Sequence, residues 1–203
     1  MELVVATSNR GKLREIAAIL QPLGIQVVPA AERGFRRHIP ETGTTFAENA
    51  LLKARTVAQA LGLPALADDS GLVVEALDGA PGVHSARYAG PGADDQQRNA
   101  KLLAALQGLP PEKRGAAFVC VMACCRPDGA CITAEGRLEG RIATAPAGKH
   151  GFGYDPVFQL PQRGLTLAQL TPQEKNDISH RARALAALSR KLVDFLNPPP
   201  VGA

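Results

Sequence analysis

Apolar positions open the chain as an unbroken run, Leu3-Val4-Val5-Ala6, which gives way at once to the polar loop Thr7-Ser8-Asn9-Arg10-Gly11-Lys12. A short continuous run of this kind predicts a strand covered on both faces. Behind the loop, Leu13, Ile16, Ala17 and Leu20 recur at helical spacing, and Pro22 and Gly24 are stop signals. Ile25 to Val28 predicts the next strand. Strand, loop, helix, strand is the opening of an α/β sheet.

The pattern continues in the same mode. Thr45-Phe46-Ala47-Glu48 has the spacing of a capping box. The helix it predicts carries Ala47, Ala50, Leu51, Ala54, Ala58 and Leu61 on one face and Asn49, Lys53 and Thr56 on a polar stripe, and Gly62 and Pro64 end it. Ala65 to Ala67 predicts a short strand that delivers Asp68 and Asp69 at its end, and Leu72 to Val74 resumes apolar after Gly71. Asp94 opens a further helix with Leu102, Leu103 and Leu106 inward. Ala117 to Cys125 and Ala130 to Ala134 flank Pro127-Asp128-Gly129, a hairpin signal. Ser179 is placed to cap a last helix carrying Leu185, Leu188, Leu192 and Phe195, and residues 198–203 read as a disordered Pro-rich tail.

Four stretches carry candidate chemistry, each with a plainer structural alternative. Thr7 to Lys12 is a donor-rich loop at a helix start, suited to a phosphate, and equally a plain strand-to-helix turn capped by Ser8 or Asn9. It is not a Walker A loop, because Ala6 and Leu13 stand where that motif needs Gly and a hydroxyl. Asp68-Asp69 offers two adjacent carboxylates for a hard cation, or an exposed bend before Gly71. Neighbouring strand residues point to opposite faces, so one of the two acids faces inward unless a turn begins there. A buried carboxylate needs a cation or several donors. Glu41 and Lys53, taken singly, read as an ordinary loop acid and a solvated lysine. Gly151-Phe152-Gly153-Tyr154-Asp155-Pro156 sets flat rings beside exposed backbone and an acid, which suits a heterocyclic base, or else a tight loop tucked into the core. Ser179-His180-Arg181 suits an anion or a base oxygen, or a helix cap with two surface cations.

Composition narrows the classes. A hydrophobic fraction of 45% over 203 residues supports a real core in one domain, or one domain with two lobes. No signal peptide precedes the first strand, and no apolar run approaches the roughly 20 residues that span a bilayer, so a cytoplasmic protein without a membrane partner is expected. The net charge of +4 allows a nucleic-acid partner, but aromatics are only 4% and are not interleaved with Lys and Arg as a stacking platform requires. Cys120, Cys124, Cys125 and Cys131 lack zinc spacing and read as small buried thiols in a reduced compartment.

The order of the motifs is more specific than any one of them. Thr-x-Asn-x-Gly-Lys, Glu-Thr-Gly-x-Thr-Phe-x-Glu-Asn-Ala with Lys-Ala-Arg, Ala-Asp-Asp-Ser-Gly-Leu, Gly-Ala-Pro-Gly, Ser-Ala-Arg-Tyr, Gly-Phe-Gly-Tyr-Asp-Pro and Ser-His-Arg follow one another from Leu3 to about Leu196. In this order they closely resemble the noncanonical purine nucleoside triphosphate pyrophosphatases, also called the inosine/xanthosine triphosphate pyrophosphatase family. The resemblance implies a two-lobed α/β fold over residues 1–197, built on a long mixed sheet with a cleft between lobes, and a homodimer. It implies Mg²⁺-dependent hydrolysis of ITP, dITP and XTP to the monophosphate and pyrophosphate.

By motif, Thr7, Ser8, Asn9, Arg10, Gly11 and Lys12 match the family's triphosphate loop. Asp69 matches its proton acceptor and a metal ligand, Asp68 and Glu41 match acids near the metal, Lys53 matches a lysine directed at the phosphates, and Ser70 matches a substrate contact. Phe152, Gly153, Tyr154, Asp155, Lys175, His180 and Arg181 match its base-recognition set. The departures are Ser8 where Gly is common, His150 before Gly151, and Pro40 before Glu41. A nucleotide pyrophosphatase with another base preference is the alternative. A nucleic-acid-binding module, or a P-loop NTPase releasing phosphate, fits the residues less well.

Overall fold

The structure, a computed structural model, describes residues 2–197. The expected Pro-rich tail lies outside them. Seven strands form one sheet in the order β2-β1-β3-β4-β5-β6-β7. They are β1 (Glu2–Val5), β2 (Gln26–Pro29), β3 (Ala65–Val74), β4 (Gly115–Cys125), β5 (Cys131–Ile142), β6 (Phe158–Leu160) and β7 (Leu165–Thr166). β1 pairs parallel to β2 and β3, while β5–β6 and β6–β7 are antiparallel, so the sheet is mixed as expected. The helices are α1 (Arg10–Leu20), α2 (Phe46–Leu61), α3 (Asp95–Ala105), α4 (Pro172–Ile178) and α5 (His180–Leu196).

The chain forms two compact units. The first gathers the residues up to Asp69, Cys120–Gly136, and the chain from Arg181 onward. β1 from Leu3 onward and this unit's parts of β3 and β4 are buried on both faces, which explains their continuous apolar runs. Side chains alternate between the faces. Leu3, Val5, Leu66, Cys120 and Met122 pack with Ile16 and Leu20 of α1 and with Leu185, Leu188 and Leu192 of α5. Val4, Ala6, Ala65, Ala67, Val121 and Ala123 pack with Ala50, Ala54, Val57 and Ala58 of α2. The second face is rich in alanine.

Local signals set the helix ends. Asn9 caps α1, its side chain accepting from the N–H groups of Gly11 and Lys12. Thr45 and Glu48 form the expected capping box, and Gly62 closes α2 in the left-handed conformation. Asp94 and Gln97 form a second box at α3.

The second unit comprises Ser70–Val119 and Arg137–His180. Its core holds Leu72, Val74, Leu102, Leu106, Phe118, Ile142, Tyr154, Phe158 and Leu167. α4 was not foreseen, although Thr171 and Glu174 form another capping box with Pro172 at the first helical position.

Two expectations are corrected. β3 does not end at Ala67 but runs ten residues to Val74, so Asp68 and Asp69 stand inside a buried strand and not at a bend. The cysteines are not all free thiols. Cys125 and Cys131, on either side of the Arg126–Ala130 turn, form a disulfide with Cα atoms 4.1 Å apart. Cys120 and Cys124 are free and buried, and burial pushes both thiols up to about 12.

Candidate active site

Alternation along β3 decides what each acid meets. Asp68 follows Leu66 by two residues and shares its face, toward α1 and α5. Asp69 follows Ala67 and shares the face of α2. Asp68 is fully buried, and its Oδ2 accepts from Lys12 Nζ at 2.9 Å and from Arg181 Nη2 at 3.3 Å. Arg181 Nη1 also pairs with Glu15 of α1. Burial alone would raise the pKa of Asp68. Lys12, Arg181 and Lys53 outweigh it and hold the carboxyl well below the usual range.

Asp69 is 5% exposed and meets the polar stripe of α2. Its Oδ1 accepts from Lys53 Nζ at 2.9 Å, and its Oδ2 from Asn49 Nδ2 at 3.2 Å. Lys53 Nζ also reaches Glu41 Oε1 at 2.7 Å. Asn49 and Lys53 are one helical turn apart, so both present to the same acid. Burial opposes the charge on Lys53, but Asp69, Asp68 and Glu41 raise its pKa above the ordinary value, so it stays protonated. Burial also lifts Asp69 above the ordinary carboxylate value, against the pull of Lys53 and Lys12.

Asn49 has a second task, accepting from the N–H of Gly43 at 2.8 Å. A Cβ on Gly43 would stand 2.7 Å from the Asn49 oxygen, so the loop bearing Glu41 approaches α2 only through glycine. Sequence reasoning put Asn49 on the polar stripe but missed it as a site residue. It missed Glu15 altogether.

The loop Thr7–Lys12 is half engaged with itself. Asn9 Oδ1 accepts from Gly11 N at 2.8 Å and Lys12 N at 3.1 Å, and Asn9 N donates to Thr7 Oγ1. These two helix-start donors serve the cap, so the charge the loop contributes comes from the side chains of Lys12 and Arg10. Ser8, Asn9 and Arg10 are exposed.

The three acids expected near a metal lie on different partners. Glu41 and Asp69 converge on one point, the Lys53 ammonium, while Asp68 is held by Lys12 and Arg181. Among the described residues no group of three or more acidic, histidine or cysteine side chains is arranged to hold a metal ion. What remains is a pair of carboxylate oxygens converging on a cation at 2.7 and 2.9 Å. An all-oxygen pair of that kind fits a hard divalent cation.

The second unit carries the aromatic loop and Ser70, which is half-buried beside Asp69 in sequence. Asp155 Oδ2 accepts from Phe152 N at 2.8 Å and from the buried Lys175 ammonium, which lies 4.7 Å over the Phe152 ring. One acid thus fixes a lysine against a flat ring. Gly151 is obligatory. Its φ is +77°, and a Cβ there would come within 2.0 Å of Asp155 Oδ2. Tyr154 is buried, and its hydroxyl donates to Ser85 O at 2.8 Å. His180 is buried and stacked on Phe118, with centroids 4.7 Å apart and planes 10° apart. Arg181, expected with this set, has its guanidinium in the first unit with Asp68 and Glu15.

Known proteins are similar to this chain over nearly its whole length. A protein called dITP/XTP pyrophosphatase from Geobacillus kaustophilus is 51% identical over 190 residues, covering 94% of this chain and 93% of its own. One of the same name from Geobacter sulfurreducens is 53% identical, covering 94% and 96%. Among solved structures, a HAM1 protein from Coxiella burnetii superposes with a TM-score of 0.87 at 48% identity, over 96% of this chain and 99% of its own. The Ham1 protein of Staphylococcus aureus superposes at 0.85 with 40% identity, over 96% and 100%. The model of the Ham1 family matches residues 3–191, and the chain belongs to that family.

Proposed function

We propose that the protein is a nucleoside-triphosphate pyrophosphatase that hydrolyses dITP, ITP and XTP to the monophosphate and pyrophosphate. The observation that carries this reading is identity of about half the residues, over 94% of the chain, with proteins named for that activity. The buried charge network of β3 supports it, since polyphosphate chemistry needs fixed cations and an acid beside them.

In this reading water attacks the α-phosphorus and pyrophosphate leaves. Asp69 takes the proton of the attacking water, and its pKa above the ordinary carboxylate value suits a base. Lys53 and Lys12 stabilise the charge that builds on the leaving phosphates. Asp68 holds Lys12 and Arg181 in place. Glu41 and Asp69 would hold Mg²⁺, which when bound neutralises phosphate charge. Lys175, fixed by Asp155 over Phe152, donates to a 6-oxo group and has no acceptor for a 6-amino group. Adenine would then leave a buried donor unpaired. The family resemblance also supports a homodimer and a cytoplasmic location. Among the described residues no helix is long and apolar enough to cross a membrane.

The test is a panel of dITP, XTP, dATP and dGTP with and without Mg²⁺, with products separated by chromatography. Monophosphate plus pyrophosphate from dITP and XTP alone, dependent on Mg²⁺, is the expected result. Pyrophosphate from all four keeps the chemistry and removes the selectivity. Orthophosphate, or no turnover, overturns the reading.

A further inference from the structure

The aromatic loop is held from outside by side chains to which neither the motifs nor the comparisons give a role. Gly153 sits between Phe152 and Tyr154 with φ +63°. Its N–H donates to Asp95 Oδ2 at 2.8 Å, and its C=O accepts from Asn99 Nδ2 at 3.0 Å. Asp95 and Asn99 are four residues apart on α3, so they stand one above the other on one helical face. Together they take both polar groups of one residue at the centre of the loop.

The orientation of the Asn99 amide follows from its partner. A carbonyl only accepts, so the NH₂ end must face Gly153. The Oδ1 end is then buried with no hydrogen-bond partner among the described residues, although Asn99 as a whole is only 5% exposed. A buried unsatisfied oxygen is destabilising, and an apolar residue of similar size would avoid it. Its presence points to the bond at its other end. Asp95 is steadied in turn. Arg98 pairs with its Oδ1 and also donates to Ala86 O at 3.1 Å, in the segment Gly82–Arg87 whose Ser85 carbonyl accepts from Tyr154. The loop is therefore fixed at Gly153 and Tyr154, and Phe152 and Asp155 flank the fixed points.

We propose that Asp95 and Asn99 are positioning residues that set the pose of Phe152–Asp155 and thereby the choice of base. The inference rests on the proposed pyrophosphatase reading. Neither side chain takes part in the chemical step. Losing either bond lets the Phe152 ring and the Asp155–Lys175 pair shift, which weakens recognition of the base before it affects hydrolysis.

The experiment is steady-state kinetics on dITP and dATP for the full-length parent, Asn99→Ala, Asn99→Asp, Asp95→Ala and Asp95→Asn, with circular dichroism melts of each. Asn99→Asp keeps shape but sets an acceptor against the Gly153 carbonyl. Asp95→Asn keeps an acceptor for the Gly153 N–H. The expected result is a KM for dITP raised about tenfold in Asn99→Ala, Asn99→Asp and Asp95→Ala, the size of losing one net hydrogen bond. Preference for dITP over dATP should fall by a similar factor, kcat should stay within about twofold, and Asp95→Asn should recover most of the KM lost in Asp95→Ala. Parent-like KM and preference in Asn99→Asp and Asp95→Ala overturn the proposal. So does a fall in kcat at unchanged KM. If Asn99→Ala does not fold, the half-exposed Asp95 pair decides alone. A parent that releases no pyrophosphate from dITP overturns the activity and this inference with it, whereas an active parent with indifferent variants overturns only the inference.

Discussion

Arg181→Met should destabilise the protein severely, by a mechanism that acidification exposes. Arg181 is 1% exposed, and its guanidinium serves Glu15 and the fully buried Asp68. Methionine fills much of the volume but leaves Asp68 with one fewer cation. Breaking a buried pair from one side costs about 3–5 kcal/mol. For a chain of this size that is a fall in melting temperature of roughly 6–20 °C. Burial pushes Asp68 toward the neutral form, and Lys12, Arg181 and Lys53 more than reverse it, so its folded pKa lies below the unfolded value of 3.8. Such a carboxylate adds stability above its unfolded pKa, and that stability is lost as pH falls through the depressed folded value. Removing Arg181 moves the folded pKa back up and shrinks this contribution. The gap between parent and variant is therefore widest near neutrality and narrows below about pH 4. Urea melts at pH 7, 5 and 3 read it directly. Adding Asp68→Asn should relieve part of the loss, with a coupling of about 1–3 kcal/mol in the double-mutant cycle. A loss under about 1 kcal/mol, a gap independent of pH, or zero coupling to Asp68 would refute the reasoning.

Three further outcomes follow from the same geometry. Asp69→Asn should lower kcat on dITP by about 10²–10⁴-fold with a near-parent melt, and activity close to the parent would remove Asp69 as the base. Lys175→Ala should cut the preference for dITP over dATP by about tenfold or more, measured as the ratio of kcat/KM values; an unchanged ratio would shift base recognition to other side chains. Gly151→Ala should destabilise by about 1–3 kcal/mol from the left-handed backbone alone, before any clash with Asp155, and a melt indistinguishable from the parent would mean the loop has another accessible conformation.

Local signals were legible in the chain because they act over a few residues. The Thr45–Glu48 box, the Asn9 cap, the Gly62 stop and the turn after Cys125 all appear where the sequence predicts them. The Thr171–Glu174 box that opens α4 is a signal of the same local kind. The disulfide carried a fainter mark. A short turn between Cys125 and Cys131 brings the two strand ends side by side, which spacing rules for zinc do not consider.

What sequence could not supply is the compensation of buried charge. A strand with two adjacent acids reads as ending there, because an uncompensated carboxylate is not tolerated inside a sheet. The strand continues because Asp68 finds Arg181, 113 residues away, and Arg181 finds Glu15, 166 residues away. The same pairing places the Arg181 guanidinium beside Asp68, the carboxylate that also holds Lys12. Period-two alternation then does the rest, sending Asp68 to the two cations of α1 and α5 and Asp69 to Lys53 and Asn49 of α2. Adjacent acids that look interchangeable in sequence are thereby separated in role. One is locked in ionised form by two cations. The other sits beside Lys53 and Asn49, with burial lifting its pKa above the ordinary carboxylate value.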